Sequence, residues 1–211
     1  MPRLLVASNN PGKVAEFRRL LAGCGWELAT PAELDLELPE DEPGETYAEN
    51  AKIKALNGAQ ASGLVALADD SGLEIDALGG GPGARSARFL GESAGYEERF
   101  ARILGEMKGL PSGKRWARFR CVIAIAEPGS EEVKRCEGDV QGQIALEPSG
   151  EQGFGYDPIF HLPWQARTMA ELPVRVKDLI SHRGRAAMRA RPVLKEMLYE
   201  RRTTGSAGAF S

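Results

Sequence analysis

The chain has 211 residues, enough to bury a hydrophobic core as one large domain or as two small lobes. Its net charge of −3 argues against long polyanions, so we expect no nucleic acid partner, although a small anion could bind at a local site. Three cysteines without a Cys-x-x-Cys spacing indicate reduced thiols rather than a disulfide framework or a zinc site. Because the sequence also lacks a signal-peptide core and a membrane-spanning stretch, we expect a cytoplasmic protein with no membrane partner.

The N-terminal segment predicts a strand, a polar loop and a helix. Residues 4–7 form an apolar run typical of a buried strand, and apolar side chains at helical spacing follow over residues 14–21. Between them lie Ser8, Asn9, Asn10, Pro11, Gly12 and Lys13. A loop before a helix presents unpaired N–H groups and the positive end of the helix dipole, so these residues could bind phosphate oxygens. An ordinary capped helix with a surface lysine is the alternative.

The next predicted elements are a loop over 31–45, a helix over 46–62 and a strand over 64–68. Thr46 and Glu49 have the spacing of a capping box, and Gly63 is a typical residue to end the helix. The strand is a continuous apolar run, and we expect it to end where the acidic pair Asp69 and Asp70 begins.

The acidic pair suggests a metal-assisted reaction with phosphates. Ligands of α/β proteins bind at the carboxyl ends of strands, where Asp69 and Asp70 are predicted to lie. Magnesium prefers carboxylate oxygens and shares its sites with substrate phosphates. One carboxylate could hold the metal while the other accepts a proton from water. The alternative is that Asp69 caps the following turn and that Asp70 is solvated.

The remainder of the chain mixes helices, strands and glycine-rich loops. In chain order we predict a loop at 79–83, a helix at 96–107, a strand at 115–126, its antiparallel partner at 132–141, a loop at 153–158 and a basic helix at 184–201. The hairpin of two strands argues against a purely parallel sheet. The small, polar residues 203–211 predict a disordered tail.

Two further segments have side chains suited to a flat, polar ligand. The first consists of Phe154, Gly155, Tyr156 and Asp157, in which glycine lets an aromatic ring and the backbone approach a base. A turn with two core aromatics is the alternative. The second is His182 with Arg183, which offers several hydrogen-bond donors to a keto or phosphate oxygen. Local bonds at a helix N-terminus are the alternative there.

Taken together, these segments resemble the inosine/xanthosine triphosphate pyrophosphatase family. The matching stretches are SNNPGKVAEF at 8–17, TYAENAKIKA at 46–55, ADDSGLEIDALGGGPGARSARF at 68–89, GFGYDPIF at 153–160 and SHRGRA at 181–186. The resemblance implies an α/β fold with a mixed central sheet flanked by helices. It also implies one two-lobed domain over 1–202, with a nucleotide cleft between the lobes.

The activity implied by the resemblance is hydrolysis of ITP, dITP and XTP to the monophosphate and pyrophosphate. The family requires Mg²⁺ and is typically a homodimer, so both are expected here. Asp70 would bind the metal and accept a proton. This chain has Asp-Glu-Pro-Gly at 41–44 where the family commonly has Glu-Glu-Thr-Gly, which leaves the second metal ligand open. Asp41 is favoured, Glu42 is next, and Asp69 is the third candidate.

The resemblance also assigns residues to the substrate. Residues 8–13 would hold the triphosphate, although the family's usual Thr-Gly-Asn is Ser-Asn-Asn here. Ser71 would lie beside the substrate, and Lys177 would contact it. Residues 154–157 would contact the nucleotide, with the aromatic rings near the base. His182 and Arg183 would recognise the base.

Two other functions compete with this one. A related pyrophosphatase could act on modified pyrimidine or methylated nucleotides. A non-catalytic nucleotide- or RNA-binding module could use the basic helix over 183–202, although the acidic pair would repel RNA unless a metal intervened.

Overall fold

The structure is a computed structural model that describes residues 1–39, 43–91 and 93–207, without the side chains of residues 202 and 204–207. The strands are β1 (Arg3–Val6), β2 (Glu27–Ala29), β3 (Val65–Ile75), β4 (Trp116–Ala126), β5 (Val133–Ile144), β6 (Phe160–Leu162) and β7 (Arg167–Thr168). The helices are α1 (Pro11–Leu20), α2 (Tyr47–Ser62), α3 (Tyr96–Glu106), α4 (Val174–Ile180) and α5 (His182–Ala207). The strands form one sheet in the order β2-β1-β3-β4-β5-β6-β7.

The sheet is parallel at one end and antiparallel at the other. β1 pairs in parallel with β2 and β3, whereas β3, β4 and β5 form long antiparallel ladders. Helices α1 and α5 pack on one face of β1, β3 and β4, and α2 packs on the opposite face. The prediction of an α/β fold with a mixed central sheet flanked by helices is therefore confirmed.

β3 does not end at the acidic pair but continues through it to Ile75. The predicted strand end was wrong because β4 supplies ladder hydrogen bonds from Ala66 to Ile75, whatever the polarity of the side chains. β1 stops earlier, since its last pair joins Val6 to Leu67. After Leu67, β3 has no β1 residue beside it on that edge, and its residues there line two pockets. Asp69 and Asp70 thus lie inside a strand, at the point where its neighbour ends.

The core explains why the helices pack where they do. On one face, Phe17 of α1 and Leu194 of α5 meet the apolar side chains of β1 and β3. On the other face, α2 contributes small residues such as Ala51 and Ala55. A third cluster lies below the antiparallel half of the sheet and includes Ile103 of α3. Small side chains let α2 lie close to the sheet, which places its polar residues beside β3.

The predicted helix ends of α1 and α2 are set by local chemistry. Thr46 and Glu49 form the capping box that begins α2, and Gly63 ends the helix with a φ of 65°. Asn10 caps α1 by accepting a hydrogen bond from Lys13 N at 3.1 Å. The polar loop before α1 therefore leads directly into a helix N-terminus, as predicted.

α5 is longer than predicted at both ends. It begins at His182, so that His182 and Arg183 form its first turn instead of preceding it. It reaches Ala207 and so includes residues 203–207, which the sequence had assigned to a disordered tail. The hydroxyl of Thr203 donates to backbone carbonyls of the preceding turn and thereby remains compatible with the helix. Residues 208–211 lie outside the described residues.

Several short elements were not predicted, namely α4 and the strands β2, β6 and β7. The strands have two or three residues each, which is too short for an alternating pattern to be recognised. In the part of the chain that the structure describes, no helix is both long and apolar enough to cross a membrane.

Candidate active site

Two adjoining pockets open beside β3, and both include Asn10 and Lys13. The first is lined by most of the predicted ligand-binding residues: Asn10, Lys13, Asp70, Ser71, Phe154, Gly155, Tyr156, Asp157, Lys177, His182 and Arg183. The second is lined by Ser8 and Asn9 of the predicted phosphate loop, together with Lys54, Asp69 and Arg88. Pro11 and Gly12 form the first turn of α1, and Gly12 packs against the ring of Phe154.

Asp70 points toward α2, where two polar side chains hold its carboxylate. Asn50 Nδ2 donates a hydrogen bond to Oδ2 at 3.1 Å, and Lys54 Nζ lies 3.4 Å from Oδ1. Asn50 and Lys54 are neighbours on one face of α2, four residues apart. The amide oxygen of Asn50 also accepts a hydrogen bond from Gly44 N at 2.8 Å, so the loop before α2 is tied to the same site.

Asp69 points to the opposite face of β3, because consecutive strand residues alternate in direction. Its Oδ2 accepts hydrogen bonds from Arg183 Nη2 at 2.9 Å and Nε at 3.2 Å, and Lys13 Nζ lies 3.3 Å from Oδ1. Burial alone would raise the pKa of Asp69, but Arg183 and Lys13 outweigh burial and hold the pKa far below its usual range. The two neighbouring acids therefore have different surroundings and different roles.

Arg183 is bound by protein groups on several sides. Besides its bonds to Asp69, Nη1 donates to Glu16 Oε2 at 2.7 Å and Nη2 donates to Ser71 Oγ at 2.7 Å. The side chain is only 2% exposed. The observed contacts make Arg183 a connector of two buried carboxylates and a serine, and its predicted contact with a base stays a prediction.

Lys177 and Asp157 form a second buried ion pair at the first pocket. Lys177 Nζ lies 2.5 Å from Asp157 Oδ2 and 2.7 Å from Glu16 Oε1. Asp157 Oδ2 also accepts a hydrogen bond from Phe154 N at 2.9 Å, which holds the loop in shape. Burial raises the pKa of Asp157 and outweighs the opposing effect of Lys177. Both predicted residues therefore line the pocket while bonded to each other.

The two aromatic residues of the loop have different environments. The ring of Phe154 borders the pocket, with Lys177 Nζ 5.1 Å and the Arg183 guanidinium carbon 5.4 Å from its centroid. Tyr156 is 4% exposed and packs in the third core cluster, with its hydroxyl donating to Ser86 O at 2.8 Å. Both aromatic residues line the first pocket, and Tyr156 also belongs to the core, so the predicted contact of these rings with a base stays a prediction.

His182 lies at the floor of the first pocket. It is 6% exposed, and its ring stacks on Phe119 with centroids 4.7 Å apart. Burial, helped by Arg183 and Lys177, lowers the pKa of His182 well below its ordinary value, so the imidazole is neutral near pH 7. Nδ1 is buried and has no hydrogen-bond partner among the described residues. Because Nδ1 is closed to solvent, Nε2 is the ring nitrogen that a ligand in the pocket could reach, as a donor or as an acceptor according to the tautomer.

The described side chains at the site offer few donor atoms for a metal ion. Within residues 1–39, 43–91 and 93–207 there is no group of three or more His, Cys, Asp or Glu side chains arranged to hold an ion. Asp41 and Glu42, the predicted further ligands, lie outside the described residues. Asp70 supplies hard carboxylate oxygens in the lining of the first pocket, which suits a cation that also takes water and phosphate oxygens.

Three site residues were missed by sequence reasoning: the buried Glu16 and Asn50, and the partly buried Lys54. Each lies on a helix whose apolar face is otherwise buried, and Glu16 follows Lys13 by three residues. A charged or amide side chain on the buried face of an amphipathic helix was the available signal, because such a group must find a partner.

The cleft is surrounded by the polar loop before α1, the carboxylate of Asp70 on β3 and the aromatic loop over 154–157. These features are typical of an α/β protein that binds a phosphorylated ligand. Residues 4–193 match the Ham1 family. The dITP/XTP pyrophosphatase of Desulforamulus reducens is 46% identical over 195 residues, which cover 92% of this chain and 96% of that protein. The dITP/XTP pyrophosphatase of Bacillus subtilis is 45% identical, with coverages of 92% and 98%.

A solved structure of a HAM1 protein from Coxiella burnetii superposes with a TM-score of 0.84 at 42% identity, covering 93% of this chain and 100% of that one. The chain belongs to the Ham1 family. The family resemblance and the fold inferred from the motifs are both confirmed by these matches.

Proposed function

We propose that this protein hydrolyses ITP, dITP and XTP to the nucleoside monophosphate and pyrophosphate, and so removes non-standard purines from the nucleotide pool. The observation that carries the proposal is the position of Asp70, a carboxylate held by Asn50 and Lys54 where a phosphate-type loop meets an aromatic pocket. The relatives' name, dITP/XTP pyrophosphatase, supports dITP and XTP as substrates.

The pocket supports a direct attack of water on the α-phosphorus. Asp70 orients the water and accepts its proton, while the bond between the α-phosphorus and the bridging oxygen breaks. Lys13 and the N–H groups at the start of α1 face the departing pyrophosphate and stabilise its charge. Most of the acceleration then comes from positioning and electrostatics.

Magnesium is proposed as the cofactor, with Asp70 as a ligand and Asp41 or Glu42 as the second. A magnesium site commonly uses one or two carboxylates together with water and substrate phosphates, so the carboxylate of Asp70 fits such an ion. When bound, the ion would neutralise negative charge on the triphosphate.

The selectivity for keto purines follows from the donors at the floor of the pocket. Hypoxanthine and xanthine carry an acceptor oxygen at position 6, where adenine carries an amino donor. With its proton on the nitrogen that faces the pocket, neutral His182 donates one N–H to the keto oxygen, and adenine would leave that donor unpaired. An unpaired buried donor costs about 1–3 kcal/mol, which corresponds to roughly 5- to 150-fold in selectivity.

Replacing His182 with phenylalanine tests this explanation and keeps a ring against Phe119. His182→Phe should lower the ratio of kcat/KM for ITP over ATP by about 10-fold, the value of one hydrogen bond. An unchanged ratio in a folded variant would show that the base is recognised elsewhere.

One assay tests the function as a whole. Pyrophosphate release is measured from ITP, XTP, dITP, GTP and ATP, with Mg²⁺ and with excess chelator. We expect rapid, magnesium-dependent release from the first three. Preference for a modified pyrimidine or a methylated nucleotide would favour the related pyrophosphatase, and binding without turnover would favour a non-catalytic module.

We also propose that the protein works in the cytoplasm as a homodimer. Cys24, Cys121 and Cys136 are free and buried, as suits a reducing compartment. Sedimentation equilibrium tests the assembly, because a monomer mass at micromolar concentration would contradict the dimer.

A further inference from the structure

Glu16 of α1 is a buried acid that the mechanism above does not use. Its side chain is 5% exposed, and its two oxygens contact different cations. Oε2 accepts a hydrogen bond from Arg183 Nη1 at 2.7 Å, and Oε1 lies 2.7 Å from Lys177 Nζ. A buried carboxylate is strongly unfavourable unless it is paired, and here both oxygens are paired.

These contacts join three helices at one carboxylate. Glu16 lies on α1, one turn after Lys13 and the phosphate loop. Lys177 lies on α4 and Arg183 on α5, the two helices that supply the far wall of the first pocket. Glu16 contacts both helices directly, so it helps to set the separation between the loop and that wall. The exposed Arg19–Asp178 pair and the apolar packing of Phe17 contribute to the same separation.

The connection continues on both sides of Glu16. On one side, Arg183 binds Asp69, and Asp69 contacts Lys13 at 3.3 Å, which returns to the phosphate loop. On the other side, Lys177 binds Asp157, whose carboxylate holds Phe154 N at 2.9 Å. The charges alternate in sign along the whole chain of contacts. Burial would raise the pKa of Glu16, but Arg183 and Lys177 outweigh burial and keep the pKa below its ordinary value, so the centre stays charged.

A nucleoside triphosphate would be held at its base by the far wall and at its phosphates by the loop. The phosphorus atom that faces Asp70 is then set by the distance between these two anchors. A shift of about 1 Å at a reacting atom is enough to lower a rate by roughly 10²-fold. A residue that sets this distance would therefore keep the α-phosphorus aligned with Asp70, and its loss would slow attack there relative to attack elsewhere on the triphosphate.

We propose that Glu16 is a positioning residue that holds the phosphate loop at a set distance from the base-binding wall and thereby directs hydrolysis to the α-phosphorus. The proposal rests on the proposed function. Water attack at the α-phosphorus breaks the bond to the β-phosphate and gives IMP and pyrophosphate from ITP. Attack at the γ-phosphorus breaks the outer anhydride bond and gives IDP and orthophosphate. In either reaction the proton of water passes to Asp70 and then to solvent.

The test is product analysis with Glu16→Gln, which keeps the shape of the side chain and removes its charge. Products from ITP and Mg²⁺ are separated by ion chromatography and counted by phosphorus NMR. We expect kcat for pyrophosphate release to fall about 30-fold while KM changes less than 3-fold, within the range for misplaced reactants. The ratio of IDP to IMP should rise at least 10-fold. Glu33→Gln, at an exposed acid that pairs with Arg18 of α1, is the matched control and should leave both values unchanged.

Glu16→Asp provides the second variant, because it keeps the charge but shortens the side chain. It should give a product ratio between those of the wild type and Glu16→Gln, and it carries the test if Glu16→Gln does not fold. A folded variant that still yields only IMP and pyrophosphate, with its loss confined to KM, would overturn the positioning role. Failure of the wild-type protein to release pyrophosphate from any purine triphosphate would instead overturn the proposed function.

Discussion

The two ends of the cleft both contain lysine or arginine, but they bury these cations to different degrees. At the phosphate end, defined by residues 8–13 and Lys54, the side chains of Lys13 and Lys54 are 15% and 16% exposed. At the base end, defined by residues 154–157 and 177–183, Lys177 and Arg183 are 5% and 2% exposed. The base end is therefore a preformed, internally paired wall, whereas the lysines of the phosphate end can adjust to a flexible, highly charged ligand.

Two buried carboxylates of the cleft, Asp69 and Asp157, also differ in how their cation partners shift the pKa. Asp69 is paired with both Arg183 and Lys13, and its pKa is lowered in spite of burial. Asp157 shares Lys177 with Glu16, and burial raises its pKa. Two buried acids thus shift in opposite directions, because Asp69 contacts two cations, Arg183 and Lys13, whereas Asp157 contacts only Lys177, which it shares with Glu16.

The largest loss of activity is expected for a change at Asp70, the proposed proton acceptor beside the phosphate end. Asp70→Asn should lower turnover of ITP by about 10⁴-fold, since it removes the proton acceptor. Pyrophosphate release measures the loss, and circular dichroism checks that the protein is folded. Asp76→Asn, at an exposed acid just after β3, is the control. Turnover within about 10-fold of the wild type for Asp70→Asn would contradict the proposed base.

The next effect is one of stability and concerns the base end. Arg183→Met removes the partner of two buried carboxylates and should lower the free energy of unfolding by about 3–5 kcal/mol. Urea denaturation at pH 7 measures it. A loss below about 1 kcal/mol, the size expected for exposed pairs, would mean that Glu16 and Asp69 are solvated.

A pair of matched variants sharpens the contrast between the two acids. Asp69→Asn should destabilise the protein by about 2–3 kcal/mol, because it leaves Arg183 and Lys13 with one fewer anion, and Asp157→Asn should cost about 1 kcal/mol or less. If urea denaturation gave the same loss of unfolding free energy for both variants, the proposed difference between Asp69 and Asp157 would be wrong.

The destabilisation caused by each of these two variants should depend on pH in a different way. The pKa of Asp69 is lowered on folding, so its stabilising contribution is present above its unfolded pKa of about 3.9 and is lost as pH falls below that value. The pKa of Asp157 is raised on folding, so its contribution becomes less favourable as pH rises above about 3.9. From pH 7 down to pH 3, the destabilisation caused by Asp69→Asn should shrink, and that caused by Asp157→Asn should not.

A smaller effect is expected where the two ends touch. A Cβ on Gly12 would lie 2.6 Å from Phe154 Cδ1, so Gly12→Ala must displace the ring. We expect KM for ITP to rise about 10-fold, from misplacement of the aromatic loop. Gly105→Ala, at a helical position with open space around it, is the control. Initial-rate kinetics on both variants distinguish a local clash from a general effect of alanine.

The smallest effect is expected outside the cleft. Arg18 and Glu33 form an ion pair in which both side chains are 48% exposed. Arg18→Ala should change the free energy of unfolding by less than about 1 kcal/mol, because water screens exposed pairs. If Arg18→Ala lowered the free energy of unfolding as much as Arg183→Met in the same urea experiment, the expected difference between exposed and buried ion pairs would be wrong.

Much of the fold could be predicted because its signals are local. The capping box of Thr46 and Glu49, the cap at Asn10 and the hairpin over 115–141 depend on residues close in sequence. The motifs also indicated most of the side chains that line the cleft. The end of β3 could not be predicted, because its length depends on β4, a strand some fifty residues away in the chain.

The sequence by itself determined the family, the N-terminal cap of α1, both ends of α2 and the presence of an acidic pair beside a phosphate-type loop. Only the tertiary structure decided that the two acids face opposite sides of one strand, with Asp70 held by α2 and Asp69 by Arg183. It also decided that Glu16 meets Arg183, 167 residues further along the chain. The reason is physical: a buried charge takes its role from the partners that folding brings to it, and distant partners leave no pattern in the local sequence.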